Sequence, residues 1–216
     1  MKDIVDDNTV DLIITAPPRT SKNDPKSHYD FSVSWLTEAH RVMKSTGSMY
    51  VLCHQDVLRN ILNAMHEVSI NVVNIIVVRY RIGRISHNKY VFTHGYCVYG
   101  CKNRDKRIFF PYSRYQNGEV DDDGMKMHYR DREDIWFSGA SIKSSNPELS
   151  INLVIKMIGY SSKSGALILD PFAGDGIVPL VASSNDREYI AFEEDKEKYK
   201  MIYDDLLPRP ILYAVK

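Results

Sequence analysis

The sequence predicts an α/β protein with a doubly wound, mostly parallel sheet. Short apolar runs typical of buried strands alternate along the chain with longer amphipathic segments typical of helices. One of these runs leads directly into the glycine-rich turn DPFAGDG, and a helical pattern follows the turn. Two strand-like runs, INVVNIIVVRY and HGYCVYGCK, have no helix between them, which predicts one antiparallel strand in the sheet.

The first half of the chain reads as strands and helices in alternation. VDLIIT is a short buried strand, and FSVSWLTEAHRVMKSTG has apolar residues at helical spacing from Val33 to Met43. We expect this helix to stop at Gly47. SMYVLC is the second strand and QDVLRNILNAMHEV the second helix. INVVNIIVVRY and HGYCVYGCK then form the antiparallel pair.

The second half begins with a different pattern. Residues 103–143 are polar and rich in turns, which predicts an insertion or small subdomain inside a single domain that spans residues 1–216. NPELSINLVIKMIGYSS is a helix with its proline near the start. The strand ALILD, the helix IVPLVASSN, the strand EYIAFEED and the helix KEKYKMIYDDLL follow, and PILYAVK is the candidate last strand.

Composition excludes several classes of protein. The 216 residues are 44% hydrophobic and 26% charged, which is ordinary for a globular protein and unlike a disordered or fibrous one. The N-terminus lacks the apolar core of a signal peptide, and no apolar run approaches the roughly 18 residues of a membrane span. We therefore expect an intracellular protein with no membrane partner. The cysteines and histidines do not have metal-site spacing, so we expect reduced thiols and no metal.

The net charge is zero, but basic residues concentrate in one stretch. Residues 79–116 contain nine basic residues and one acidic residue, a local charge of +8, interleaved with aromatic residues. Cations beside aromatic rings suit phosphates and unstacked bases, although a solvated basic surface with inward-facing rings fits equally well. The candidate nucleic-acid contacts are Arg79, Arg81, Arg84, Lys89, Arg104, Lys106, Arg107 and Arg114. The segment RYRIGR, residues 79–84, is the first choice among them.

The segment LILDPFAGDGIV carries the clearest binding signal. Asp170 ends a strand, Gly174 and Gly176 allow the backbone to approach a ligand, and a helix N-terminus follows. Glu193 stands 23 residues after Asp170, at the end of the next strand, where a carboxylate can accept hydrogen bonds from ribose hydroxyls. We call residues 170–176 the glycine turn, and this pattern predicts a nucleoside-type cofactor.

These motifs resemble those of a known family. DPFAGDG resembles the Asp-Pro-Phe-x-Gly-x-Gly motif of S-adenosylmethionine-dependent DNA amino-methyltransferases, and VDLIITAPPR resembles their catalytic strand. With the catalytic motif first, a recognition region in the middle and the cofactor motif last, the chain is similar to the beta group of that family. The resemblance implies a seven-stranded-type methyltransferase sheet and methyl transfer to the exocyclic amine of adenine or cytosine in DNA. RNA remains an alternative substrate.

The resemblance also implies the residues of the site. S-adenosylmethionine would be bound by Asp170, Pro171, Phe172, Gly174, Asp175, Gly176 and Glu193. Catalysis would take place at the proline corner, the name we give to Thr15, Ala16, Pro17, Pro18 and Arg19. Consecutive prolines fix φ twice, so the Pro17 carbonyl is held in one direction to accept from the target amine. Residues 103–143 would be the target-recognition region, and a homodimer or a partner subunit is compatible with the group.

The proline corner departs from the family at two positions. Ala16 stands where an acid or serine is usual, and Arg19 stands where an aromatic residue stacks on the base. An arginine can stack in part as a ring does. Three accounts follow from these differences: an introduced substitution at Ala16, a divergent and weakly active enzyme, or a catalytically silent relative that binds DNA or a partner.

Overall fold

A computed structural model describes residues 4–19, 25–84, 87–88, 90–111, 114–139, 149–206 and 212–214. The strands are β1 Val10–Thr15, β2 Met43–Cys53, β3 Asn71–Arg84, β4 Phe92–Cys101, β5 Ile135–Phe137, β6 Leu167–Asp170, β7 Glu188–Glu193 and β8 Leu212–Ala214. The helices are α1 Pro25–Val42, α2 Gln55–Glu67, α3 Met127–Arg130, α4 Ile151–Ser161, α5 Ile177–Ser184 and α6 Lys196–Met201, which continues into a π-helical turn over Ile202–Leu206.

The strands form one sheet in the order β5-β3-β4-β2-β1-β6-β7-β8. β4 runs antiparallel to both of its neighbours, and all other pairings are parallel. The chain moves from β1 towards β2 in its first half and from β6 towards β8 in its last part, so β1 and β6 flank the topological switch point. The doubly wound sheet with one antiparallel strand is confirmed. The three-residue β5 extends the seven-stranded arrangement at one end.

The sheet is buried on both faces at its centre. Leu12 and Ile14 of β1 belong to the core beneath α4 and α5, whereas Val10 and Ile13 belong to the core beneath α1 and α2. A strand covered on both faces reads as a continuous apolar run, which is why VDLIIT lacks alternation. The switch point therefore rests on two packed layers and is a rigid base for the residues at the strand ends.

The predicted end of the first helix was wrong. α1 ends at Val42, and Met43 already pairs with Val10 of β1. The next pair on this ladder is Leu12 with Ser48, so residues 44–47 bulge out of register between the two pairs. Gly47 belongs to this bulge, because a Cβ there would stand 2.6 Å from Cγ of Met43 and 3.2 Å from the Asp11 carbonyl oxygen. Glycine is therefore needed at this position because a side chain would collide with Met43 and β1, and not because a helix ends there.

The polar middle segment contributes to the edge of the sheet. Within residues 103–111 and 114–139 it contains α3 and β5, and β5 pairs in parallel with Val77–Arg79 of β3. The proline expected near the start of α4 lies outside the described residues. All three cysteines are free and buried, as expected for core thiols. Among the helices that the structure describes, none has the length and apolar character needed to span a membrane.

Candidate functional site at the carboxyl edge

Three neighbouring strand ends bring the proline corner and the glycine turn together. β1, β6 and β7 are adjacent and parallel, so Thr15, Asp170 and Glu193 end at the same side of the sheet. We call this side the carboxyl edge and the opposite side the amino edge. The hydroxyl of Thr15 donates a hydrogen bond of 2.8 Å to Oδ1 of Asp170. Two segments 155 residues apart in the chain thus meet in a direct contact across the switch point.

Asp170 is a buried carboxyl group with one unsatisfied oxygen. Its Oδ1 accepts from the Thr15 hydroxyl and from the Phe172 amide at 3.1 Å, whereas its buried Oδ2 has no hydrogen-bond partner among the described residues. Burial raises the pKa of Asp170 to about 7; the two hydrogen bonds lower it, and the negative charge of Glu193 raises it slightly. A buried carboxyl with a free oxygen is suited to receiving a cation or another hydrogen-bond donor.

The glycine turn is shaped by two residues with left-handed backbone conformations. Gly174 has φ 55° and Gly176, the N-cap of α5, has φ 75°. Only glycine adopts these angles without strain from a Cβ. The Gly174 amide donates to Oε2 of Glu193 at 2.7 Å, and Oε1 of Glu193 accepts from the Asp195 amide at 2.9 Å. Glu193 therefore joins the turn to the end of β7 and holds its carboxylate beside Gly174.

The remaining residues of the turn are divided between core and solvent. Pro171 is buried, and the Phe172 ring packs against Phe31 and Trp35 with centroid distances of 5.7 and 5.6 Å. Asp175 is exposed and lies 3.6 Å from Nζ of Lys198. Phe172 thus anchors the turn to α1, whereas Asp175 faces solvent.

The proline corner is buried at its first proline and exposed at its second. Ala16 is partly buried against the core beneath α4, Pro17 is buried and Pro18 is exposed. Arg19 forms an ion pair with Asp56 in the first turn of α2, and its side chain is only 13% exposed. The pKa of His28 on α1 is lowered mainly by burial of the imidazole and further by the positive charge of Arg19. This ion pair engages the guanidinium with a carboxylate, and stacking of Arg19 on a base stays a prediction.

Sequence reasoning missed the residues that surround Arg19. His54 directly follows β2, and its Nδ1 lies 2.8 Å from Oδ1 of Asp56. The His54 ring stacks on Phe92 at 4.7 Å, which connects the proline corner to the start of β4. One feature of the sequence could have identified them: His54 and Asp56 directly follow a predicted strand. Ligands bind outside the carboxyl ends of the strands in such sheets.

The structure divides the basic stretch between the two edges. Arg79 and Arg81 are exposed on β3 where it approaches the carboxyl edge. Arg104, Lys106 and Arg107 follow β4 at the amino edge, where β4 ends opposite the starts of β2 and β3. The ten residues of β4 span roughly 30 Å, so the two groups do not form one surface.

The other basic residues complete this division. Arg114 lies 3.4 Å from Oδ1 of Asp131, and Arg104 donates to the Val72 carbonyl at 2.6 Å. Arg84 ends β3 at the carboxyl edge, whereas Lys89 lies outside the described residues. Among the candidates that the structure describes, the residues of β3 lie towards the same edge as the proline corner. Within the described ranges, no group of three or more His, Cys, Asp or Glu residues could hold a metal ion.

Comparisons with known proteins agree on one family. A family model described as DNA methylase matches residues 10–204. Type II methyltransferase M.BamHI of Bacillus amyloliquefaciens is 26% identical over 88% of this chain and 51% of its own length. Type II methyltransferase M.HpaI of Haemophilus parainfluenzae is 23% identical over 94% of this chain and 69% of its own length. This chain thus spans about half the length of the Bacillus relative.

Solved structures share the fold. TTHA0409 of Thermus thermophilus, a putative DNA modification methylase complexed with S-adenosyl-L-methionine, superposes with a TM-score of 0.76 at 16% identity. The match covers 99% of this chain and 93% of that one. The cytosine-N4-specific PvuII DNA methyltransferase gives a TM-score of 0.73 at 13% identity and covers 91% of this chain and 79% of its own.

Proposed function

This chain belongs to the DNA methylase family, and we propose that it transfers a methyl group from S-adenosylmethionine to the exocyclic amine of adenine or cytosine in DNA. One observation carries the proposal beyond family membership. The Thr15–Asp170 hydrogen bond places the proline corner directly beside the glycine turn, at the switch point of a doubly wound sheet. A methyl donor held by the turn and an amine held by the corner would therefore lie close enough to react.

The residues of the glycine turn fit S-adenosylmethionine. The unpartnered Oδ2 of Asp170 is a buried acceptor for an ammonium group, and the Glu193 carboxylate is an acceptor for ribose hydroxyls. Gly174 leaves room for a ligand, because a Cβ there would meet nothing nearer than the Phe172 carbonyl oxygen at 3.9 Å, and Pro171, Phe172, Asp175 and Gly176 complete the motif. When bound, this cofactor supplies a methyl group activated by a sulfonium. The carboxylates of Asp170 and Glu193 would bind and orient the cofactor. Because Asp170 is buried, water would be kept from the ammonium group that it holds.

The proline corner would hold the target amine. Pro17 is buried and its backbone carbonyl is the acceptor that this chain retains, because Ala16 has no side-chain acceptor. A hydrogen bond from the amine to a carbonyl draws electron density onto the nitrogen and positions it for attack on the methyl carbon. Loss of the second acceptor at Ala16 is expected to lower the rate by a factor on the order of a hundred or more.

The DNA would approach the carboxyl edge. Arg79 and Arg81 are exposed there and can neutralise phosphates, whereas Arg104, Lys106 and Arg107 at the amino edge are too distant from the proline corner to contact the same site. We propose residues 103–143 as the target-recognition region of a single domain, since their strand β5 lies beside Arg79. A target amine inside a duplex must be exposed by base flipping before it can reach Pro17.

Two measurements on the full chain test the proposal. Calorimetric titration with S-adenosylmethionine measures binding, and transfer of tritiated methyl groups to mixed duplex DNA measures activity, with RNA as the alternative acceptor. We expect both binding and transfer, with Asp170→Ala abolishing each. Binding of cofactor and DNA without transfer would establish the silent alternative, a DNA-binding or partner-binding subunit. Sedimentation of the chain alone tests for a homodimer. Absence of cofactor binding would overturn the proposal.

A further inference from the structure

A row of paired residues crosses the sheet at β5, β3 and β4. Phe137 of β5 is paired with Arg79 of β3, and Arg79 is paired with His94 of β4. Residues paired in this way point to the same face of a sheet. This face is opposite to the one on which Val78, Tyr80 and Trp136 enter the core beneath α4. An arginine is therefore placed between two rings on the side of the sheet that carries α2.

The aromatic row continues along β4 towards the proline corner. Phe92, His94 and Tyr96 occupy every second position of β4, so they lie on this same face. The Phe92 ring stacks on His94 at 6.3 Å and on His54 at 4.7 Å, and Nε2 of His94 lies 3.2 Å from the Tyr96 hydroxyl. We define the aromatic strip as His54, Phe92, His94, Tyr96, Arg79 and Phe137.

The side chains of the aromatic strip are at least partly exposed, whereas two rings on the other face of the sheet are not. Phe137 is 61% exposed, Arg79 is exposed, and Phe92, His94 and Tyr96 are half-buried. Tyr80 and Tyr99 are buried in the core on the other face. The two faces of the sheet thus differ: rings on one face pack in the core, and rings on the other face are accessible. An exposed phenylalanine next to an exposed arginine offers a flat apolar face and a positive charge to a ligand.

We propose that the aromatic strip binds unpaired nucleotides of a DNA strand. The inference rests on the proposed function, since it adds a binding surface to the edge that would receive DNA. Flat rings stack on bases of any sequence, and an arginine between them attracts the connecting phosphates. Asp56, the carboxylate beside His54, is already in an ion pair with Arg19, which reduces its repulsion of phosphate.

The location of the strip favours nucleic acid over a protein partner. His54 contacts Asp56, and Asp56 contacts Arg19 of the proline corner, so the strip begins at the candidate site for the flipped base. Opening a duplex to expose one base leaves neighbouring nucleotides without stacking partners. A row of rings that starts at this point can take up those nucleotides and stabilise the opened strand.

Oligothymidylate separates this inference from the proposed function. Thymine has no exocyclic amine, so a labelled single-stranded dT12 can bind the strip but cannot accept a methyl group. Fluorescence anisotropy measures its affinity for the full chain. We expect Phe137→Ala and Arg79→Ala each to weaken binding by about tenfold, because one stacking or ionic contact is lost. Phe137→Trp keeps a stacking ring and is expected to bind at least as well as the unchanged protein.

Tyr203→Ala is the matched control. Tyr203 is 49% exposed on the π-helical turn near the other end of the sheet, so its removal is expected to leave dT12 binding unchanged. Equal dT12 affinity of Phe137→Ala and the unchanged chain would overturn the inference. So would a change in sedimentation of Phe137→Ala without a change in dT12 binding, because the strip would then join copies of the chain. Methyl transfer by a chain that fails to bind dT12 would overturn this inference alone.

Discussion

The hydroxyl of Thr15 and the carboxyl group of Asp170 are joined by a 2.8 Å hydrogen bond across the switch point of the sheet. Both residues are buried, and they end the adjacent parallel strands β1 and β6. This contact couples the position of the proline corner to the ionisation state of the glycine turn. A change at either residue is therefore expected to alter the behaviour of the other.

Thr15→Val should destabilise the protein. The substitution keeps the shape of the side chain but removes the donor to Oδ1 of Asp170, and loss of a buried hydrogen bond costs about 1–3 kcal/mol. Urea denaturation followed by circular dichroism measures the free energy of unfolding. Thr15→Ser retains the hydroxyl and should lose less stability. A Thr15→Val protein as stable as the unchanged one would show that the hydrogen bond contributes nothing.

Stability should fall as the pH rises from about 4 to about 7. Burial raises the pKa of Asp170 from 3.8 to about 7, so the native carboxyl group keeps a proton that the unfolded chain has already released. The native state then binds more protons than the unfolded state in this window, and the free energy of unfolding decreases with pH. Asp170→Asn cannot ionise and should show a flatter profile. An identical pH profile for both proteins would contradict the raised pKa.

Affinity for S-adenosylmethionine should rise with pH, whereas stability falls. Ionised Asp170 attracts an ammonium group more strongly than protonated Asp170 does, so the affinity should rise as the pH increases from about 6 to about 8. Calorimetric titration across this range measures the dissociation constant. Thr15→Val should move the midpoint of the transition to higher pH, because the Thr15 hydrogen bond lowers the pKa of Asp170. A dissociation constant independent of pH would exclude Asp170 as the group that holds the cation.

Ala16→Asp should raise methyl transfer by about a hundredfold or more. The new carboxylate restores a second acceptor for the target amine, and a single hydrogen bond made in the transition state has an effect of this size. The tritium assay measures the rate, and calorimetry verifies that cofactor affinity is unchanged. Ala16→Val adds volume without an acceptor and serves as the control. If Ala16→Val raises the rate as much as Ala16→Asp does, the acceptor is not the cause.

Arg81→Ala should weaken duplex DNA binding more than Lys106→Ala. Arg81 is exposed near the carboxyl edge, whereas Lys106 is exposed at the amino edge. Each lost phosphate contact lowers the slope of log K against log salt by about 0.9. Anisotropy titrations at several salt concentrations measure this slope. Equal effects of the two substitutions would place DNA on a surface different from the carboxyl edge.

Local pattern was sufficient for most of the sheet and for the glycine turn. Buried strands and amphipathic helices have characteristic spacing, so β1, β3, β4 and β6 could be predicted, as could the antiparallel pairing of β3 with β4. Gly176 has the positive φ that a glycine at this turn indicates. The end of α1 could not be predicted, because Gly47 is required by its contacts with Met43 and the Asp11 carbonyl, which are distant in the sequence or formed only in the bulge.

The amino-acid sequence by itself determined the fold class, the family and the glycine turn, because these depend on residue order and on backbone preferences of neighbouring residues. Tertiary structure alone decided which charges act together. β4 carries Arg104 and Lys106 to the amino edge while Arg79 and Arg81 stay near the carboxyl edge, and α2 brings Asp56 to Arg19. The physical reason is distance: stacking acts over a few ångströms and charge–charge interactions over roughly 10 Å in physiological salt, and a sheet sets those separations independently of separation along the chain.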